Sequence, residues 1–97
     1  MNPRENAAVA FAAEGLEPNI WSNGPGVEYA AHQHPQHKVL YCVEGSIVFH
    51  TGSGELALEP GDRIDLPAGT VHTATVGPNG VTCWEAFRTS AGELATD

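Results

Sequence analysis

GVEYAAHQHPQHKVLYCVEG, residues 26–45, carries the densest pattern in the chain: Gly26, five residues, His32, one residue, His34, three residues, Lys38, six residues, Gly45. A second patterned stretch, GDRIDLPAGTVH at residues 61–72, sets Pro67, Gly69 and His72 at fixed distances behind Gly61. Side chains two apart on a strand point to the same side, so a strand from Val27 to His34 presents the His32 and His34 imidazoles together. Alone, such a pair is more often a surface or core feature than a metal site.

Outward from these stretches the chain reads as short apolar runs cut by glycine and proline turns, continuing to about Phe87. That is the pattern of an all-β barrel or sandwich. The expected strands are Leu16–Ser22, Val27–His34, His37–Val43, Ile47–Thr51, Glu55–Leu58, Arg63–Leu66, Val71–Val76 and Val81–Phe87. Turns are expected at Glu44–Ser46 and at Gly77–Gly80, among others. Before the strands, residues 2–14 are alanine-rich and favour a helix. Asn2 can cap it, Pro3 suits its first position, Glu5 completes a capping box and Gly15 stops it. Val9, Ala12 and Ala13 are the expected apolar face, with Phe11 beside it. The division that follows is a helix over 1–15 packed on the barrel, the barrel over 16–90 and a loose polar tail over 91–97.

Ninety-seven residues leave room for a single core. Twelve acidic against four basic side chains give a formal net charge of -8, which disfavours nucleic acid and anionic membrane surfaces as partners. There is no signal segment at the N-terminus and no apolar run of spanning length, so a cytoplasmic location is expected. Cys42 and Cys83 lie in apolar runs without zinc or redox spacing and read as reduced packing residues. No phosphate-binding loop, dinucleotide fingerprint or nucleophile elbow is present in the sequence.

Taken together, Gly26, His32, His34 and Gly45 in the first stretch and Gly61, Pro67, Gly69 and His72 in the second resemble the two motifs of the cupin superfamily. The resemblance implies an all-β, double-stranded β-helix (jelly-roll-like) barrel preceded here by a short helix. It also implies a single metal ion on His32, His34 and His72, with His72 delivered from a strand facing the first pair. Three neutral imidazoles accept divalent iron, manganese, cobalt, nickel, copper or zinc and leave positions open for a small-molecule ligand or substrate. By alternation from the ligands, Leu40, Cys42, Thr70, Ala74 and Val76 are the expected pocket lining.

The chain departs from the family at Lys38, where the motif usually has a glutamate ligand. An ammonium about 5 Å from a dication is opposed by roughly 6–7 kcal/mol at an effective dielectric of about 20. Three resolutions are open: Lys38 is neutral and catalytic, it turns aside to an anionic ligand group or an acidic residue, or the barrel holds no metal; the plainest reading is a strand-edge lysine with its head in solvent. His37 is either a rim residue or, through a bulge, a replacement ligand. His50 is expected at the surface.

The functional expectation is a metal-dependent enzyme on a small organic molecule, of dioxygenase or isomerase type, with oxygenase chemistry leading. The alternative is a non-catalytic cupin module that binds or senses a small molecule or anion. Apolar residues on both faces of the sheet, such as Val39, Tyr41 and Val43, call for an outer cover, and a homodimer is the expected one.

Overall fold

In the computed structural model, which describes residues 1–88, the chain forms one helix and six strands. The tail expected over 91–97 lies outside the described residues. Helix α1 spans Pro3–Ala13, and its start follows the sequence signals closely. The Asn2 side chain accepts from the Glu5 N–H at 2.9 Å, while the Asn2 N–H donates to Glu5 Oε1 at 2.9 Å. The strands are β1 (Asn19–Asn23), β2 (Glu28–His32), β3 (His37–Thr51), β4 (Gly54–Leu58), β5 (Arg63–Leu66) and β6 (His72–Arg88). Every strand pairing is antiparallel: β3 and β6 pair along most of their length, β1 and β2 add to β6, and β4 and β5 add to β3.

Two expected turns are bulges instead. Glu44–Ser46 and Gly77–Gly80 do not end strands; β3 and β6 run through them with register shifts between Cys42 and Glu44 and between Gly45 and Ile47. A bulge bends a strand and increases its twist without losing its partner, which is what a curling sheet needs. Gly45 takes φ +73, and a Cβ there would stand 2.0 Å from the Gly80 carbonyl oxygen. Glycine is required because the two strand backbones touch at this bend. The first strand also starts later than expected, at Asn19, just after Pro18, which has no N–H to give a ladder.

The alternation along β3 divides two apolar clusters. Leu40, Cys42, Ile47 and Phe49 point inward and pack with Leu58, Leu66, Ala74, Val76, Val81 and Cys83. Val39 and Val43 point outward, where Ala7 and Phe11 of α1 cover them together with Ala86. The outer face for which a homodimer is the expected cover is therefore closed by the chain's own helix. The face of the helix that does this is Ala7 and Phe11, one turn apart, rather than Val9, Ala12 and Ala13, which are not buried. Phe11 meets the Tyr41 ring edge-on at 5.5 Å between centroids. Cys42 and Cys83 are free, buried and opposite each other on β3 and β6.

Charged groups fasten the helix to the barrel. Glu14 at the helix C-cap pairs with Arg63 and Arg88, and Arg63 also reaches Asp65. The Arg63 guanidinium beside Asp65 holds that carboxyl below the ordinary range and is itself held charged by it. Among the described residues no helix is long and apolar enough to cross a membrane.

Candidate metal centre

His32 ends β2, His34 follows it past the strand end, and His72 opens β6 directly across the ladder from His32. His72 thus comes from the neighbouring strand of the same sheet, not from one facing the pair. The turn between the motifs contributes to the convergence: the Gly69 N–H donates to the His34 carbonyl at 2.8 Å, tying the second motif to the first three residues before His72. Gly69 adopts φ +78 to make that approach. The result is a cluster in which one nitrogen from each of His32, His34 and His72 lies within 4.8 Å of the others. The ring centroids are 4.3 Å apart for His32 and His72 and 4.9 Å for His32 and His34.

The hydrogen bonds around these rings decide which nitrogens are available. His32 Nδ1 lies 2.8 Å from the Ala30 carbonyl and His72 Nδ1 lies 2.9 Å from the Thr70 carbonyl. A carbonyl oxygen only accepts, so each Nδ1 carries the proton and each Nε2 carries a lone pair. This is the outer bonding that orients metal-ligating histidines. Nε2 of His34 and of His72 are buried and have no hydrogen-bond partner among the described residues. Burial pushes the basicity of both His34 and His72 below that of free imidazole, with Lys38 the next cause at His34, while at His72 the bond to the Thr70 carbonyl partly opposes it, so both are neutral at pH 7. Buried, unpartnered ring nitrogens are costly unless something occupies them. Two of them converging with the His32 lone pair fit a divalent transition metal.

Lys38 turns toward an acidic partner. It is 6% exposed, and its Nζ lies 3.0 Å from Glu85 Oε1 on β6. The pair is neutral as a unit, which answers the electrostatic objection to a cation beside a metal site. Trp21 Nε1–H donates to the same Glu85 oxygen at 2.6 Å. Neither Glu85 nor Trp21 carries a motif signal, because Glu85 meets Lys38, and Trp21 meets Glu85, only through strand pairing.

His37 is not a replacement ligand. The register of β3 is regular from His37 to Cys42, so His37 faces outward, opposite to Lys38, and its Nε2 lies 2.7 Å from Asp65 Oδ2. His50 is half-exposed, with Glu55 at Nδ1 and Thr75 at Nε2.

A cavity of about 270 Å³ opens beside the histidines, lined by Trp21, Asn23, Tyr29, His32, Lys38, Phe49, His72 and Glu85. The expected lining residues lie elsewhere. Leu40, Cys42, Ala74 and Val76 do face inward but belong to the packed core, and the Thr70 hydroxyl is turned to the Pro67 carbonyl. Alternation from the ligands finds the correct face, but the sheet's bend places the opening at the end where β1 and β2 cross β6. Trp21 and Tyr29 stand edge to face there, 5.9 Å apart.

Comparison with known proteins agrees with this geometry. The family described as "Cupin domain" matches residues 19–79. The quercetin 2,3-dioxygenase of Bacillus subtilis (strain 168) is 41% identical over 56 residues, 56% of this chain and 17% of that protein. Among solved structures, an RmlC-like cupin from Shewanella frigidimarina NCIMB 400 is 24% identical, with a TM-score of 0.67 over 81% of this chain and 70% of that one. The DMSP lyase DddQ from Ruegeria pomeroyi DSS-3 is 23% identical, with a TM-score of 0.71 over 78% of this chain and 39% of that one. The chain therefore spans about a sixth of the dioxygenase and about two fifths of the lyase.

Proposed function

Because the chain belongs to the cupin domain family, we propose that it is a metal-dependent enzyme acting on a small organic molecule, with oxygenase chemistry as the leading type. The observation that carries this reading is the pair of buried, unpartnered Nε2 atoms of His34 and His72 converging with His32. The 41% identity to part of a quercetin 2,3-dioxygenase supports the oxygenase type.

His32, His34 and His72 would hold the metal through Nε2, leaving coordination positions open. The metal, when bound, supplies a Lewis acid or a redox centre for the small molecule. The chain's own residues prepare that site. The Ala30 and Thr70 carbonyls fix the tautomers of His32 and His72. Phe49, 5.9 Å from the His72 ring, and Phe87, 5.2 Å from the His34 ring, keep water from two sides. Lys38 and Glu85 place a charge-neutral polar pair in the cavity where a family glutamate would otherwise add a negative ligand.

The test is elemental analysis of protein purified without added metal, beside a His72→Ala variant, followed by dioxygen uptake with a panel of small aromatic substrates. The expected result is a single transition metal per chain, absent from the variant, with uptake that follows metal content. A metal-bearing protein that binds small molecules without turnover would leave the binding or sensing module as the function. A wild type that cannot be loaded would overturn the metal reading.

A further inference from the structure

The cavity contains one carboxylate that the three-histidine site does not use. Glu85 receives both Lys38 Nζ, at 3.0 Å, and the Trp21 indole N–H, at 2.6 Å, on the same oxygen, Oε1. Its second oxygen, Oε2, takes no hydrogen bond among the described residues and, unlike Nε2 of His34 and His72, is not shut away from solvent. A carboxylate oxygen accepts from more than one donor, so an Oε2 free of protein partners, open to the cavity and steadied by two bonds to its neighbour is a prepared acceptor. Glu85 lines the cavity beside His32 and His72, and the remaining walls are largely aromatic: Trp21, Tyr29 and Phe49.

We propose that Glu85 selects the ligand: Oε2 accepts a hydrogen bond from a hydroxyl or amine of a small planar aromatic molecule held among Trp21, Tyr29 and Phe49 against the histidines. This rests on the metal-site reading above and adds the chemical class of what enters. Size supports it, since a cavity of about 270 Å³ is below the roughly 300–1,000 Å³ of drug-sized sites. Charge supports it as well. An anionic ligand approaching Lys38 meets the Glu85 carboxylate at the same place, so the pair offers an anion little net attraction. A donor-bearing neutral molecule satisfies Oε2 without disturbing either bond to Oε1. Glu85 is here a positioning and specificity residue, and it is reached from β6 rather than from the first motif.

Calorimetric titration of the full chain with catechol, which carries two hydroxyl donors, and with benzoate, which carries none, tests the assignment. Zinc is used for loading because it does not oxidise catechol, and each titration is repeated after chelation. Two variants are compared: Glu85→Gln, which keeps the shape, and Lys38→Met/Glu85→Leu, which removes both charges and leaves no unpaired ammonium. Catechol affinity should fall about tenfold or more in both variants, as expected for a lost bond to a charged acceptor. In the double variant benzoate affinity and zinc content should stay unchanged.

Catechol binding as tight in the double variant as in wild type overturns the proposal, and so does an equal loss for benzoate or no catechol binding in any form. The two readings separate cleanly. A wild type that takes no zinc but still loses catechol affinity on Glu85→Gln keeps Glu85 as selector and removes the metal. A wild type that holds zinc and binds catechol regardless of residue 85 does the reverse.

Discussion

The two faces of β3 carry neighbouring basic residues that the fold treats in opposite ways. Lys38 points inward to a single largely buried carboxylate at 15% exposure beside the histidine cluster, whereas His37, one residue earlier, points outward to Asp65 in a partly exposed network with Arg63, Glu14 and Arg88. The inner pair is largely withdrawn from solvent, with Trp21 as a second donor to Glu85; the outer network shares its charges and keeps more solvent. The number of ion pairs therefore says little about this protein's stability, and their burial says most of it.

The largest expected effect is on the inner side. Glu85→Leu alone strands the Lys38 ammonium in the interior and should cost about 3–5 kcal/mol, while Lys38→Met/Glu85→Leu should recover most of that loss. Denaturant unfolding of the three proteins checks it. If the single variant is no less stable than wild type, the pair is not the buried unit that divides the two faces.

An intermediate effect is expected from protons competing at the cluster. His34 and His72 bind protons more weakly than free imidazole because of burial, with Lys38 the next cause at His34. Above the ordinary imidazole range of about 6.5 both are neutral, so metal affinity should be flat with respect to them. As pH falls through their lowered values, affinity should drop by about 1.4 kcal/mol per pH unit for each imidazole that must shed a proton. Metal binding followed from pH 8 to pH 4.5 checks this. An onset of loss above pH 7 would mean that these two histidines are not the ligands.

The smallest effect belongs to the outer network. Asp65 has its carboxyl lowered first by its bonds with Arg63, so its contribution is complete above its unfolded value near about 3.9 and is lost as pH falls through the folded one. Because these groups are partly exposed, Arg63→Gln should cost no more than about 1 kcal/mol per pair lost at neutral pH. Thermal unfolding of Arg63→Gln and wild type should converge below pH 3. A difference that persists in acid would mean Arg63 works by packing over the Tyr41 ring, where its guanidinium carbon lies 5.6 Å from the centroid, rather than by charge.

Much of the site is legible in the amino-acid sequence alone. The spacing of His32 and His34 is local information, and so are Gly45 and Gly69, each marking a backbone position that a side chain would block or strain, whereas His72 joins the pair in the sequence only through the resemblance to the cupin motifs. The capping box at Asn2 and Glu5 is equally local. What escapes such reading is non-local. Glu85 and Trp21 have no spacing relation to Lys38, and β-bulges look like turns in sequence because the same glycines serve both. The pocket lining is misplaced for a related reason: alternation says which face a residue takes, but not how far along a bent strand the opening lies.

By itself, then, the sequence determined the β-strand pattern, the helix cap and the placing of His32 and His34 on one side of a strand, since these follow from backbone geometry and side-chain period over a few residues, while the joining of His72 to that pair was implied by the family resemblance. Only the tertiary structure decided that Lys38 is neutralised by Glu85, that His37 is turned away to Asp65 and that α1 covers Val39 and Val43. Those outcomes depend on which strands pair and in what register. Register is a property of the whole sheet, set by the burial of its two faces at once.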